Sequence, residues 1–363
     1  MDAPQLPGPP DPDNLFGELD VGLAAGASDW QFRGGEPCSV RLCGSMRRLD
    51  QPPIGEPRLQ AMAMAALGCP SPVPSGRDAA FEYRGEFFRL HSYSAGGAFC
   101  LNLRHIPGRI RSLEALGAPP AFRRAALSSH RGLILVTGPA GSGKSTTLAA
   151  AVDHLNASNE DVILTFEDPI EFRHGNRRGI VRQQQKGLDF SDFAEALRGA
   201  LRSDPDVILV GEMRDCETIS AALTAAETGH LVLGTLHCGT ARDAVSRIVD
   251  AYPSGRAAEV RLQLAKSLVA VLAQQLVRTR EGTLAGAFEL MLATHGIRHL
   301  IAEPGGRHHL LANEIATGSG HGMISMDQSL EDLCRRRVIE RAEAIRWAAH
   351  PATLGSLLAA RKG

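Results

Sequence analysis

Aromatic residues make up 5% of this 363-residue chain, and its charges nearly cancel: 39 Lys and Arg against 40 Asp and Glu leave a formal net charge of −1. So balanced a chain has no broad positive field, which argues against bulk attraction to nucleic acid or to an anionic membrane and leaves room for no more than a local basic patch. No apolar run approaches the ~18 residues that span a bilayer. The first residues carry no apolar signal-peptide core, so the expectation is a cytoplasmic protein. Seven cysteines (Cys38, Cys43, Cys69, Cys100, Cys216, Cys238 and Cys334) are scattered, odd in number and free of any C-x-x-C pair. That spacing argues against a zinc knuckle or a disulfide framework and for small buried apolar side chains.

What is present divides along the chain. Residues 1–13 are proline-rich and polar and are expected to be disordered. From 14 to 107 a helix over 15–25 and strands at 28–32, 39–42, 87–92 and 99–103 are expected, with proline-rich connectors at 51–57 and 70–74. This reads as a small α+β domain. Residues 108–120 look like a linker. From 121 to 291 short apolar strands (132–137, 161–166, 207–210, 231–236 and 285–291) alternate with helical stretches, the pattern of an α/β parallel sheet covered by helices on both faces. Within that span, Val260, Leu262, Leu264, Leu268, Leu272 and Leu276 predict one long amphipathic helix over 256–278. Residues 292–363 are expected to be a helical C-terminal region, with helices at 297–302, 326–336 and 341–349.

Four stretches carry chemistry. Gly138-Pro139-Ala140-Gly141-Ser142-Gly143-Lys144-Ser145, followed by Thr146, fits G-x-x-x-x-G-K-[ST] at each fixed position. It lies between the apolar run 133–136 and a helical run, the strand–loop–helix setting that makes the pattern a phosphate site. Loop amides and a helix N-terminus would cradle phosphate, Lys144 would reach the β- and γ-phosphates of ATP, and the Ser145 hydroxyl would ligate Mg²⁺. The second stretch is Glu167-Asp168-Pro169-Ile170-Glu171, at the C-terminal end of an expected strand, where open α/β sheets bind ligands. The third is Asp206-Val207-Ile208-Leu209-Val210-Gly211-Glu212. Glu212 follows a glycine at the strand end and is the best-placed carboxylate for Mg²⁺ and the hydrolytic water. Asp206 and Asp215 read as caps or ion pairs. The fourth ends in His237, again after a strand, where an imidazole can report a γ-phosphate. Either Glu167 or Glu212 can activate the water; the residues leave that open.

In order and spacing these four stretches resemble the Walker A, Asp box, Gly-Glu Walker B and His box of the secretion-ATPase superfamily. Within it the chain is most similar to the type IV pilus retraction ATPases of the PilT kind. Gly26-Ala27-Ser28-Asp29 matches an N-terminal signature of that family, with Gln31 where His is usual. Gly296-Ile297-Arg298-His299-Leu300-Ile301 resembles its A-I-R-N-L-I motif and departs at Gly296 and His299. The resemblance implies a PAS-like N-terminal domain, a RecA-like ATPase core and a helical tail. It also implies a cytoplasmic homohexamer held peripherally at the inner membrane by a pilus platform protein. Arg89 and Arg104 match two arginines that the N-terminal domain lends to the nucleotide; on the residues alone, surface ion pairs are an equal reading. A third arginine, usual between them, is missing from Ser94-Ala95-Gly96-Gly97. Glu167, Glu212, His237, Arg89 and Arg104 would then be catalytic, and hydrolysis would drive pilus retraction. Alternatives are a weakly active paralogue that partners another retraction ATPase, or a motor of the same superfamily serving secretion or competence. Near-neutral charge and scarce aromatics argue against a DNA translocase, so no nucleic-acid partner is expected.

Overall fold

The structure, a computed structural model, describes residues 14–42, 45–106, 108, 110–303 and 310–360. The lead 1–13 lies outside them. The described residues form two compact units, divided between residues 108 and 110.

The first unit runs α1 (Gly17–Ala24), β1 (Asp29–Arg33), β2 (Ser39–Leu42), β3 (Ser45–Arg48), α2 (Glu56–Leu67), β4 (Asp78–Tyr83), β5 (Glu86–Ala95) and β6 (Ala98–Ile106). Its six strands form one antiparallel sheet in the order β3-β2-β1-β6-β5-β4. Alternate residues of β1, β5 and β6 bury Trp30, Phe32, Phe88, Leu90, Leu101 and Leu103 against Leu59 and Met62 of α2. Period-2 alternation is what a sheet with one covered face demands. The sequence reading places no element at α2, β3 or β4. The α2 segment is Ala/Met-rich with a diffuse apolar face. It declares itself by its ends: Pro57 in the first turn and Gly68 left-handed at the close (φ 61°).

The second unit continues α3 (Pro120–Ser128), β7 (Gly132–Thr137), α4 (Lys144–Ser158), β8 (Val162–Glu167), β9 (Ile180–Gln185), α5 (Phe193–Ala200), β10 (Val207–Val210), α6 (Cys216–Glu227), β11 (Leu231–Leu236), α7 (Ala241–Asp250), α8 (Ala257–Ser267), β12 (Leu268–Arg278) and β13 (Leu284–Leu292). It closes with α9 (His295–Ala302), α10 (Leu311–Thr317), α11 (Met326–Arg335), α12 (Arg341–Trp347) and α13 (Pro351–Ala360). The sheet order is β13-β12-β7-β11-β10-β8-β9, parallel throughout except for the β12–β13 pair. Leu133, Ile134, Leu135 and Val136 of β7 are wholly buried, because helices cover both faces.

The single helix expected over 256–278 is two elements. Helix α8 stops at Ser267, and 268–278 is strand β12, parallel to β7 on one side and antiparallel to β13 on the other. Leucines at 264, 268, 272 and 276 are spaced by four, which fits either period. The run between them, Val269-Ala270-Val271, is buried or half-buried and suits a central strand better than a surface helix. Strand β9 also escapes the sequence reading: Ile180–Gln185 is an edge strand ending in three glutamines, with no apolar run to mark it.

Candidate active site

Strand β7 delivers the phosphate loop, and α4 begins at Lys144. At Gly138 an added Cβ would stand 2.4 Å from the Gln274 carbonyl oxygen and from Ser142 Oγ, so this position must be bare. Lys144 is 8% exposed. Its ammonium donates to the carbonyls of Gly138 (2.8 Å) and Pro139 (2.9 Å), folded back on its own loop. Burial pulls its pKa down, and the charges of Glu212 and Glu171 pull it back up. Ser142 Oγ is buried with no hydrogen-bond partner. A buried ammonium, an orphaned hydroxyl and the first N–H groups of α4 form a donor set suited to phosphate. Ser145 and Thr146 sit in the first turn of α4.

Strand β12 holds this loop from the side. Gln274, 3% exposed, donates from Nε2 to the Ser142 carbonyl at 2.6 Å. Thr137, at the end of β7, donates its hydroxyl to the Cys238 carbonyl (2.8 Å) and accepts from the Cys238 N–H (3.0 Å). That pair ties the phosphate-loop strand to the segment carrying His237.

At the end of β10, Glu212 Oε1 meets His237 Nε2 at 3.0 Å and pairs with Arg214 Nε. Gly211 shows why no acid stands at the strand end itself. A Cβ there would lie 3.0 Å from the Phe166 carbonyl oxygen and 3.2 Å from Glu167 Cα, so the carboxylate moves one residue on. Asp215 caps α6 by accepting from the Thr218 N–H (2.7 Å), and Asp206 accepts from the Val162 N–H (2.8 Å). Asp215 thus takes the cap role the sequence reading offers, whereas Asp206 holds a backbone N–H of the neighbouring strand β8.

At the end of β8, Glu167 Oε1 accepts from Thr165 Oγ1 (2.6 Å) and Gln183 Nε2 (3.0 Å). Burial raises its pKa, against the pull of those two donors. Asp168 pairs with Lys186 at 3.6 Å. Lys144, Glu167, Glu212 and His237 therefore all lie at or after the C-terminal ends of parallel strands of one sheet, the edge where such folds act on ligands. Among the described residues no three His, Cys, Asp or Glu side chains converge as a metal site. Mg²⁺ usually shares its coordination between one or two protein oxygens, substrate phosphates and water. The hydroxyl of Ser145 and the carboxylate of Glu212 are the oxygens to hand.

Arg89 and Arg104 belong to the first unit, where they are cross-strand partners on β5 and β6. Each has a carboxylate partner in that unit. Arg104 Nε donates to Asp29 Oδ1 at 2.8 Å, and Arg89 Nη2 pairs with Asp78 at 3.2 Å. Asp29 is 5% exposed and also accepts from Ser28 Oγ (2.7 Å). Gly96 (φ 56°) and Gly97 (φ 78°) form the tight turn between β5 and β6, where the resemblance expects a third arginine. The sequence reading misses Gln183 and Gln274, both on strands it does not identify. It also leaves Asp29 without a role.

Residues 95–337 match the family of type II/IV secretion system proteins. The chain is 41% identical, over 88% of its length and 93% of the relative's, to the type IV pilus retraction ATPase PilT of Pseudomonas aeruginosa. It is 40% identical to a twitching motility protein of Neisseria gonorrhoeae, over 89% of this chain and 87% of the other. A crystal structure of the pilus retraction motor PilT with bound ADP superposes with a TM-score of 0.84, covering 94% of this chain and 99% of that one at 35% identity.

Proposed function

The chain belongs to the type II/IV secretion system protein family, and on that footing we propose that it is a Mg²⁺-dependent ATPase, working as a homohexamer, that powers type IV pilus retraction and twitching motility. The observation that carries this reading is the phosphate loop, Glu167 and the Glu212–His237 pair on one sheet edge, in a chain aligned along most of its length with a retraction ATPase.

In this mechanism Lys144 leaves the Gly138 and Pro139 carbonyls for the β- and γ-phosphates, and the loop N–H groups of residues 140–146 hold the remaining oxygens. Mg²⁺, when bound, offsets phosphate charge, with Ser145 and Glu212 as its protein-side oxygens. Glu167, desolvated and fixed by two donors, orients and polarises the attacking water. His237, bonded to Glu212, senses what Glu212 holds and passes it to the Thr137–Cys238 connection and α7. Arg104 and Arg89 stabilise charge at the γ-phosphate. An inner-membrane platform protein receives the motion and holds the ring at the membrane. Among the described residues no helix is long and apolar enough to cross a membrane.

A second reading, a weakly active subunit that partners a paralogous retraction ATPase, draws on the Gly96-Gly97 turn where a third arginine is expected. Deleting the chain in its own cell and counting surface pili tests the proposal. Excess pili with loss of twitching supports retraction; loss of pili altogether points to assembly. Normal retraction that weakens only under load favours the partner-subunit reading.

A further inference from the structure

Three of the four hydrogen-bonding positions of one side-chain amide are used at the edge of the site. Gln183 lies on β9 opposite Thr165 of β8. Its Nε2 donates to Glu167 Oε1 at 3.0 Å and to the Phe172 carbonyl at 2.7 Å. Its Oε1 accepts the His174 N–H at 2.9 Å. Gln185, two residues on and 6% exposed, accepts the Ile170 N–H at 3.3 Å. Backbone groups at 170, 172 and 174 thus hang from alternate glutamines of one strand, on the face that also meets Glu167. A primary amide fits this place because it donates twice, accepts as well and carries no charge of its own.

From this we infer that Gln183 is a positioning residue for hydrolysis, holding the Glu167 carboxylate and the 168–174 loop in one geometry. The inference rests on the reading that Glu167 orients the attacking water. Thr165 fixes the same Oε1 from the Glu167 strand itself, so Gln183 is what ties the carboxylate to a second strand and to the loop. Nothing in the sequence announces this, because a glutamine in a polar edge strand looks like a solvated side chain.

Gln183→Met keeps the volume and removes every hydrogen bond. Turnover, KM for ATP and affinity for a fluorescent ADP analogue are measured on the full chain, alone and combined with Glu167→Gln. Loss of a water-orienting carboxylate lowers kcat by ~10²-fold or more. Loss of its positioning partner lowers kcat by ~10-fold. Gln183→Met should leave KM and ADP affinity within about two-fold of wild type, because the phosphate loop is untouched. The double variant should be no slower than Glu167→Gln, since Gln183 acts through Glu167. Losses that multiply, or full turnover in Gln183→Met, overturn the inference. Full turnover in Glu167→Gln overturns the Glu167 reading and the inference with it. If Gln183→Met loses the fold, Gln183→Glu, which keeps the length and the acceptor for His174, is judged by the same cycle.

Discussion

Replacing Arg104 by lysine separates the tether that this side chain makes to Asp29 from the phosphate contact proposed for it. Arg104 meets Asp29 through Nε, at 2.8 Å, while the side chain stays 65% exposed. The tether uses Nε and leaves out the Nη fork, the end of an arginine suited to gripping phosphate. Asp29 is buried, and its other contacts are Ser28 Oγ at 2.7 Å and Arg41 Nε at 3.5 Å. Arg104→Ala strips the shortest charged donor from a buried carboxylate. A hydrogen bond to a charged group is worth about 1.5–3 kcal/mol, and the exposure of Arg104 places the loss at the lower end. Arg104→Lys restores an ammonium within reach of Asp29 and recovers most of that stability. The ammonium is then engaged, however, and no fork remains for the γ-phosphate. Both variants should lose hydrolysis by ~10³-fold, the scale of an arginine that stabilises phosphoryl transfer. The assay pairs thermal unfolding with ATP turnover on the same preparations. Turnover near wild type in Arg104→Lys would show that a point charge suffices and that the Nε tether has no part in catalysis.

Other perturbations act inside the second unit. Lys144→Ala removes the one ammonium in the loop and should abolish ADP binding and cut turnover by ~10²-fold or more, read by fluorescent-nucleotide titration and phosphate release. Gln274→Leu leaves the Ser142 carbonyl without its donor. It should cost about 1–3 kcal/mol in stability and weaken ADP affinity. His174 titrates at about 4 instead of 6.5, chiefly through burial and then through the charge of Arg177. In that window the unfolded chain binds the proton more readily, so stability falls as pH drops from about 6.5 toward 4. His174→Phe should flatten that part of the stability–pH curve, measured by urea unfolding at several pH values.

The phosphate loop, Glu212 and His237 were legible because each sits in or after a short, unbroken apolar run, and a fully buried parallel strand writes itself that way. The Gly-Glu order at 211–212 was legible as a pattern but not as a cause. The cause is the approach of the Glu167 backbone, which no local sequence feature records. Strand β12 was misread because leucines four apart satisfy both periods; its pairing with β7 and β13 decides the matter. That error hid Gln274, which looks like an ordinary helix-surface residue until the strand brings it to the phosphate loop. Gln183 was hidden in the same way by an edge strand too polar to register. Asp29 carried a recognisable signature, yet its use as the anchor of Arg104 depends on β1 and β6, some seventy residues apart in the chain, lying side by side.

The most direct measurement is Mg²⁺-dependent ATP turnover of the purified chain across a size-exclusion profile, with Glu212→Gln run beside it. A self-sufficient ring motor predicts activity confined to a six-subunit peak and lost in the variant while that peak persists. Turnover in the monomer fraction, or undiminished turnover in Glu212→Gln, would contradict it.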